Sequence, residues 1–380
     1  MTKTTPKVAI LTCEYPPFPG GIGTYAAGIE GALNEDGVTT IVAAPIYPTL
    51  PSPTDSENTL RIFRHHRISP AAAWKAASIL RQLPKNGVVL AADLRTVVLT
   101  YLITRLIRRK YIAMVHGSEA SKFRANSVAF RLARQAYLNA AFVAYNSYAT
   151  RQIFEDGIGR PQAGGVTHLG VEGRWFLPPT TNRFENLQIA SVDEEVPIIC
   201  SVGRVEARKG QTSTIQAIAL AQSQFGLKRC VYVIAGKVEE PQYAEMILDE
   251  ARKAGVEVIM AGRLSEDDLK LLYVRSACHS LLAGALPGKI EGFGLVLLEA
   301  AAQGCPSVAT NIGGIPEVLG DTGVVVEAND LHNAARAFAN FAQSRDSRTS
   351  SGKAAQLRAN EFTWRKCAEK TFDAQYLFAD

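Results

Sequence analysis

The chain has 380 residues, 47% of them hydrophobic and 20% charged, a globular balance with apolar material for two cores and a net charge of +5. It has no low-complexity tract, no short internal repeat, no signal-peptide pattern at its polar start and no apolar run of the ~18 residues that span a membrane, so a cytoplasmic protein with only peripheral membrane contact is expected. Charge is split unevenly: residues 1–180 carry 20 basic and 11 acidic side chains, and residues 181–380 carry 21 and 25, which suggests two domains meeting different partners.

In chain order, residues 7–13 (KVAILTC) read as a buried parallel strand, a Pro/Gly loop fills 15–23, and 24–34 read as a helix. Short apolar runs at 39–44, 88–91, 111–115 and 141–145 are further strands, with helical stretches between them. Residues 177–197, rich in Pro, Thr and acids, form a linker candidate. The alternation then resumes, with strands at 197–202, 230–235, 256–260, 277–283, 307–310 and 323–326 and helices at 213–224, 242–254, 266–275, 295–303 and 331–344. Strands alternating with helices specify parallel α/β sheets, whose ligands gather at the carboxyl ends of the strands. The six cysteines, Cys13, Cys200, Cys230, Cys278, Cys305 and Cys367, have no C-x-x-C spacing and read as buried thiols. No His/Cys cluster suggests zinc.

Four segments carry chemistry. The first, Glu291-Gly-Phe-Gly-Leu-Val-Leu-Leu-Glu299, sets two acids on either side of a glycine turn that opens a helix. Gly292 and Gly294 admit close backbone approach, and the helix amides beyond favour a phosphate. Glu291 could accept hydrogen bonds from sugar hydroxyls, and Glu299, farther along the helix, from ribose. The second, 304–317 (GCPSVATNIGGIPE), follows at once. The third, Arg204 and Lys209 five apart after a strand, could clamp a pyrophosphate, although alone they would read as solvated loop cations. The fourth, Gly262-Arg263-Leu-Ser-Glu-Asp-Asp, contains Ser265 and Asp268 at capping-box spacing. In the first half, Gly21, Gly23 and Ala26 fit G-x-G-x-x-A. A dinucleotide fingerprint is nonetheless rejected, because these glycines come well after the strand and no acid ends the next one.

Together these segments resemble glycosyltransferase family 4. EGFGLVLLE, AAAQGCPSVATN and IGGIPEVLGDTG follow the family's EGFGL-x-x-x-E, A-x-G-x-P-V-V-A-T and G-G-x-x-E. The loop 16–23 (PPFPGGIG) is similar to its P-P-x-x-G-G-x-G, His116-Gly-Ser-Glu119 to its H-G-x-E/D turn, Asn146-Ser147 to its S/N-S turn, and Phe362-Thr-Trp364 to its F-S-W. His168 and Glu172 stand where the family commonly has Asn and Asp. The resemblance implies the GT-B fold: two Rossmann-like, doubly wound α/β domains facing a central cleft, one over 1–178 completed by a C-terminal helix at 362–380, the other over 179–361. Trp364, Phe372 and Tyr376 would then be packing residues.

The function implied is a retaining transfer of a hexosyl unit from a nucleotide-diphosphate sugar of the GDP-mannose or UDP-glucose type. In a front-face displacement the departing phosphate oxygen takes the acceptor proton, so no protein base is needed. His116 would serve the transferred sugar, Arg204 and Lys209 the diphosphate, and Glu291 would orient the sugar. Gly21, Gly23, Gly292, Phe293, Gly294, Leu295 and Glu299 would contact the donor, and the backbone at Arg263 its base. Arg208 does not match the family's cation positions. No D-x-D occurs, so metal independence and no cofactor beyond the donor are expected. Basic and apolar residues interleaved from Arg105 to Arg134 suit an anionic membrane at the inner face of the cell membrane, and hence a lipid-linked glycan or glycolipid acceptor rather than nucleic acid. A small soluble acceptor, or a non-catalytic nucleotide-binding protein of the same fold, remains the alternative.

Overall fold

The computed structural model describes residues 7–18, 20–47, 55–64, 67–117, 127–284 and 290–373. Chain contacts divide it into one unit of Met1–Gly170 with Thr363–Asp380 and a second of Val171–Phe362.

The first unit holds a parallel sheet in the order β3-β2-β1-β4-β5-β6-β7. The strands are β1 (Val8–Leu11), β2 (Thr40–Ile46), β3 (Thr59–Arg64), β4 (Val88–Ala91), β5 (Tyr111–Val115), β6 (Phe142–Tyr145) and β7 (Gly164–Val166). The four central strands β1, β4, β5 and β6 are buried along their whole length, as continuous apolar runs between two helical layers must be. Helices α2 (Pro70–Gln82), α3 (Leu94–Ile107), α4 (Val128–Leu138) and α5 (Tyr148–Gly157) share one apolar cluster with the sheet. That is the single face on which right-handed crossovers running β3 to β7 must place them. Helix α1 (Gly21–Glu35) begins at Gly21, earlier than the glycine pattern suggests, so Gly21 and Gly23 lie in its first turn.

The unit is completed by α14 (Trp364–Thr371), which packs on α1. A Cβ at Gly28 would overlap the Trp364 indole, and one at Gly170 would overlap the Trp364 backbone. Two glycines thus make the seat for one tryptophan. Trp364 is buried and Phe372 half-buried, as packing residues should be; Tyr376 lies outside the described residues.

The second unit opens with a single helical turn at Gly173–Phe176, α6 (Leu187–Ala190) and a parallel sheet ordered β10-β9-β8-β11-β12-β13. The strands are β8 (Ile198–Val202), β9 (Val231–Ala235), β10 (Glu257–Gly262), β11 (Ser276–Leu281), β12 (Ser307–Thr310) and β13 (Val324–Val326). Its helices are α7 (Gln211–Gln224), α8 (Pro241–Ala254), α9 (Glu266–Arg275), α10 (Leu295–Ala302), α11 (Ile315–Leu319), α12 (Leu331–Gln343) and α13 (Arg345–Ala359).

The linker candidate at 177–197 is bound to this unit. The backbone amide of Glu185 donates to Asp268 Oδ1 (3.2 Å), and Thr180 hydrogen-bonds Asp267. The same contact corrects the capping box: Ser265 accepts from the Asp268 amide (3.1 Å), but the Asp268 carboxylate turns to Glu185 and does not reach back. All six cysteines are buried and free.

Substituting Gly28 by Ala should lower the stability of the first unit by about 1–3 kcal/mol through overpacking, despite alanine's better helix propensity. Amide exchange should rise first in Trp364–Thr371. Unchanged exchange there would mean that Trp364 has another seat.

Candidate functional site

In each sheet the strand order reverses once, between β1 and β4 in the first and between β8 and β11 in the second, and the crevice at such a point collects ligands. Three glycines clear the carboxyl edge of the second sheet. Gly203, Gly236 and Gly262 end β8, β9 and β10 with φ of 140°, 148° and 68°, a range that favours glycine. They are laced together: Gly203 N–H donates to the Ala235 carbonyl (2.9 Å) and Gly236 N–H to that of Gly262 (2.6 Å). A Cβ at Gly236 would overlap the Gly203 carbonyl, so the backbone itself is the floor there.

Beyond Gly203 the chain makes a tight turn at Ala207–Lys209, closed by Gly210 at φ 69°. A Cβ at Gly210 would overlap the Leu282 carbonyl, and Gly284 N–H donates to the Arg208 carbonyl (2.9 Å), so this turn is stitched to the segment after β11. Glu291 approaches from that side. Its carbonyl accepts from Gly314 N–H (3.0 Å), and a Cβ at Gly313 would overlap it, which gives the Gly-Gly pair of the 304–317 segment a physical task.

The Glu291 carboxylate is 8% exposed and receives two cations on one oxygen: Arg208 Nη1 at 2.6 Å and Lys209 Nζ at 2.7 Å, both to Oε2. Arg208 also donates through Nη2 to Glu206 Oε1 (2.8 Å), and half-exposed Arg204 reaches the same Glu206 oxygen at 3.2 Å. The result is a chain of alternating charge, Arg204–Glu206–Arg208–Glu291–Lys209. Burial pushes the Glu291 carboxyl up, but Lys209 and Arg208 outweigh it and hold the carboxyl below its ordinary range. Lys209 and Glu291 are therefore in direct contact, and Arg204 is linked to them through Glu206 and Arg208. Arg208 and Glu206 are the members that motif matching passed over. The signal for them was an acid followed by two cations within one short loop.

Helix α10 starts at Gly294 (φ 91°), so Leu295 supplies the first helical amide of an anion-favouring helix start. Gly292 precedes it in the loop. Phe293 departs from expectation: its ring is 2% exposed and packs against Phe362 (centroids 6.0 Å), which leaves only its backbone for a ligand. Arg263 follows Gly262 with its side chain exposed, beside the Gly203–Gly236–Gly262 floor.

Glu299, farther along α10, is half-buried and pushed up to about 7, by burial first and then by Glu266 and Glu172, against Arg174 and a Tyr273 hydrogen bond. Arg174 pairs with both Glu172 (3.1 Å) and Glu266 (3.0 Å), and Lys270 pairs with Glu266 (3.1 Å). This acidic group, drawn from three separated segments, carried no motif signal.

In the first unit His116 ends β5, half-buried, with Nε2 donating to the Ala92 carbonyl (2.9 Å) and its ring edge-on to Tyr25 (5.3 Å between centroids). Asn146 Nδ2 donates to the His116 carbonyl (3.1 Å), and Ser147 caps α5 by accepting from Thr150 N–H (3.0 Å). Gly23 packs on the Tyr15 backbone, where a Cβ would stand 3.2 Å from the Tyr15 nitrogen, and Gly21 is the exposed first residue of α1. His168, in place of the family's Asn, has φ 35°, a region that Asn and His enter more readily than most residues. Glu119 lies outside the described residues.

Comparison with known proteins fits both units. Residues 19–172 match the profile described as Glycosyltransferase Family 4, and residues 182–358 the one described as Glycosyl transferases group 1. The chain is 24% identical over 401 residues to a GDP-mannose-dependent alpha-(1-6)-phosphatidylinositol monomannoside mannosyltransferase of Mycobacterium tuberculosis, covering 97% of each. It is 24% identical over 212 residues to a sulfoquinovosyl transferase of Arabidopsis thaliana, covering 54% of this chain but only 38% of that one. Among solved structures, sucrose-phosphate synthase from Thermosynechococcus elongatus superposes with a TM-score of 0.76 at 17% identity, covering 97% of this chain and 98% of that one. Anabaena HepE in complex with UDP-glucose gives 0.74 at 17% identity with the same coverage. Matched in both units and sharing the fold of these structures, the chain is a family 4-type glycosyltransferase of the GT-B fold.

Proposed function

We propose that the chain transfers a hexosyl unit, with retention and without a metal, from a nucleotide-diphosphate sugar of the GDP-mannose or UDP-glucose type to a lipid-linked glycan or glycolipid acceptor. The observation that carries the donor half is the Arg204–Lys209–Glu291 group at the switch point of the second sheet. Lys209 stands against a carboxylate held ionised, and Arg204 is linked to it through Glu206 and Arg208, beside the start of α10. A diphosphate suits the cations and the helix amides, and a sugar hydroxyl suits Glu291 as donor to acceptor. Arg204 and Lys209 would stabilise charge on the leaving diphosphate, the place where fixed electrostatics contribute most to rate. Glu299 would accept from ribose hydroxyls. In the first unit, His116 would serve the sugar by exchanging the Ala92 carbonyl for a sugar hydroxyl at Nε2.

The relatives' names support a glycolipid acceptor, and so does the surface of the first unit. Leu102, Leu106 and Val128 are exposed large apolar residues on α3 and α4, set among exposed Arg105, Arg108, Lys110 and Arg131. Two cations of the stretch have structural duties: Arg109 donates to the carbonyls of Pro84 (2.6 Å) and Leu83, and Arg134 Nε to that of Ile158 (2.8 Å). Lys122, Phe123 and Arg124 lie outside the described residues. No helix among the described residues is long and apolar enough to cross a membrane.

Four kinds of measurement test this reading. Calorimetry with GDP and UDP should show binding of one of them, and turnover should fall about a hundredfold in Arg204→Ala or Lys209→Ala. Near-normal turnover in both at saturating donor would remove the clamp. Because the Glu299 carboxyl is raised to about 7 and ribose hydroxyls donate to its ionised form, binding should release a proton and tighten from pH 6 to 8. Glu299→Gln should lose that part of the pH dependence while the phosphate's own titration stays, and identical pH curves would place ribose elsewhere. Dialysis against a chelator should leave turnover intact, and loss restored by magnesium or manganese would overturn metal independence. Vesicles with anionic phospholipid should sediment the chain, less so in salt and less with Arg105, Arg108 and Arg131 changed to Gln. No sedimentation at low salt would favour a soluble acceptor.

A further inference from the structure

Glu291 has two cations on a single carboxylate oxygen, and they are not equivalent. Arg208 is 8% exposed and is fixed at three points: Nη1 on Glu291, Nη2 on Glu206 and its carbonyl under Gly284 N–H. If it turned away, Glu291 would keep only Lys209 and Glu206 only the exposed Arg204, and thinning the pairing of buried acids is costly. Among the described residues Lys209 has one polar side-chain partner, Glu291, at the end of a four-carbon stem whose Cε lies beside Gly203. One cation suffices to offset one carboxylate. The second is available to another anion, and the exposed end of the charge chain, Arg204, lies on that same turn.

We propose that Arg208 is a positioning residue: it keeps Glu291 ionised and aimed when Lys209 turns from Glu291 to the leaving diphosphate. The proposal rests on the reading of Lys209 as a diphosphate ligand. It explains why a guanidinium occupies a place that the family's catalytic cations do not require. Only a planar fork spans Glu206 and Glu291 at once; an ammonium in its place is a point charge that serves one of them. The charged groups facing Glu291 among the described residues are Arg208 and Lys209, with Glu206 one contact further along and Arg204 two. His279 on β11, near Lys209, is held neutral down to about pH 3 by burial and by that lysine, so it does not titrate in the working range.

The test uses the full chain, with GDP and UDP for binding and hydrolysis of GDP-mannose and UDP-glucose for turnover. Two variants guard against simple misfolding. Arg208→Lys keeps a charge, and Arg208→Gln combined with Glu206→Gln removes the buried acid that would otherwise keep only the exposed Arg204. Both should bind the nucleotide within about threefold of the unaltered chain and lose about a hundredfold in kcat. Both should also begin to lose kcat at a higher pH on the acid side, because Glu291 has lost the guanidinium fork that pairs it and Glu206 at once and helps hold its proton off. An unchanged acid limb, or a loss of nucleotide affinity that accounts for all of the lost turnover, would overturn the proposal and leave Arg208 a brace of the turn. Lys209→Ala runs in parallel. If it keeps both affinity and turnover, the diphosphate reading fails on its own account, whereas an acid-limb shift confined to the Arg208 variants still marks their effect on Glu291.

Discussion

The site of the second unit is built around a buried carboxylate that its surroundings hold charged. Taking Glu291 out of water favours its protonated form, and an uncharged acid would be a poorer acceptor for sugar hydroxyls. The fold answers with two cations from one tight turn, and that turn exists because Gly210 can adopt φ 69° directly beneath the Leu282 carbonyl. The position of Glu291 in turn requires Gly313, whose missing side chain admits the Glu291 carbonyl. Charge, turn and glycine are thus one constraint seen at three levels. A methyl at either glycine would act on the electrostatics without touching a charged atom.

The other acid of the pair is governed by opposite physics. Among the described residues no cation is in hydrogen-bond contact with Glu299, and burial, then Glu266 and Glu172, push its carboxyl up to about 7. Within a single eight-residue helix and the loop before it, one glutamate is therefore held ionised and the other is poised near neutrality. The difference follows from where the strands end. The segment of Glu291 meets the cation-bearing turn after β8, whereas Glu299 faces α9 and the turn at Gly173–Phe176. The same side chain repeated eight positions along the chain need not do the same work.

Most of the sheet strands were legible because buried parallel strands are uninterrupted apolar runs, as at Val88–Ala91 and Tyr111–Val115. The strands that were missed lie at sheet edges. Thr59–Arg64 alternates Arg with apolar residues, and Gly164–Val166 is two-thirds glycine, so neither presents a continuous run. In the site, the residues matching the family's motifs could be named from sequence; Lys209 meets Glu291 in space, and Arg204 is joined to them through Glu206 and Arg208. Arg208, Glu206 and the Glu172–Arg174–Glu266 group were not legible. Their role is to set the charge state of other residues, and that depends on distances between segments that no spacing rule encodes. Phe293 shows the converse, a motif residue whose ring serves the core.

The seat of Trp364 has a consequence for how the chain is made. Helix α14 belongs to the first unit, yet the ribosome delivers it only after the whole of Val171–Phe362. Until then α1 must wait with the Gly28 groove uncovered, its apolar wall open to water and to other chains. The second unit has no such debt, since its segments are contiguous and its last residue is already hydrogen-bonded to its first, Val171 N–H to the Phe362 carbonyl (3.0 Å). In biosynthesis the later-encoded half is therefore the one able to fold to completion first, and the earlier half closes last, on its final helix.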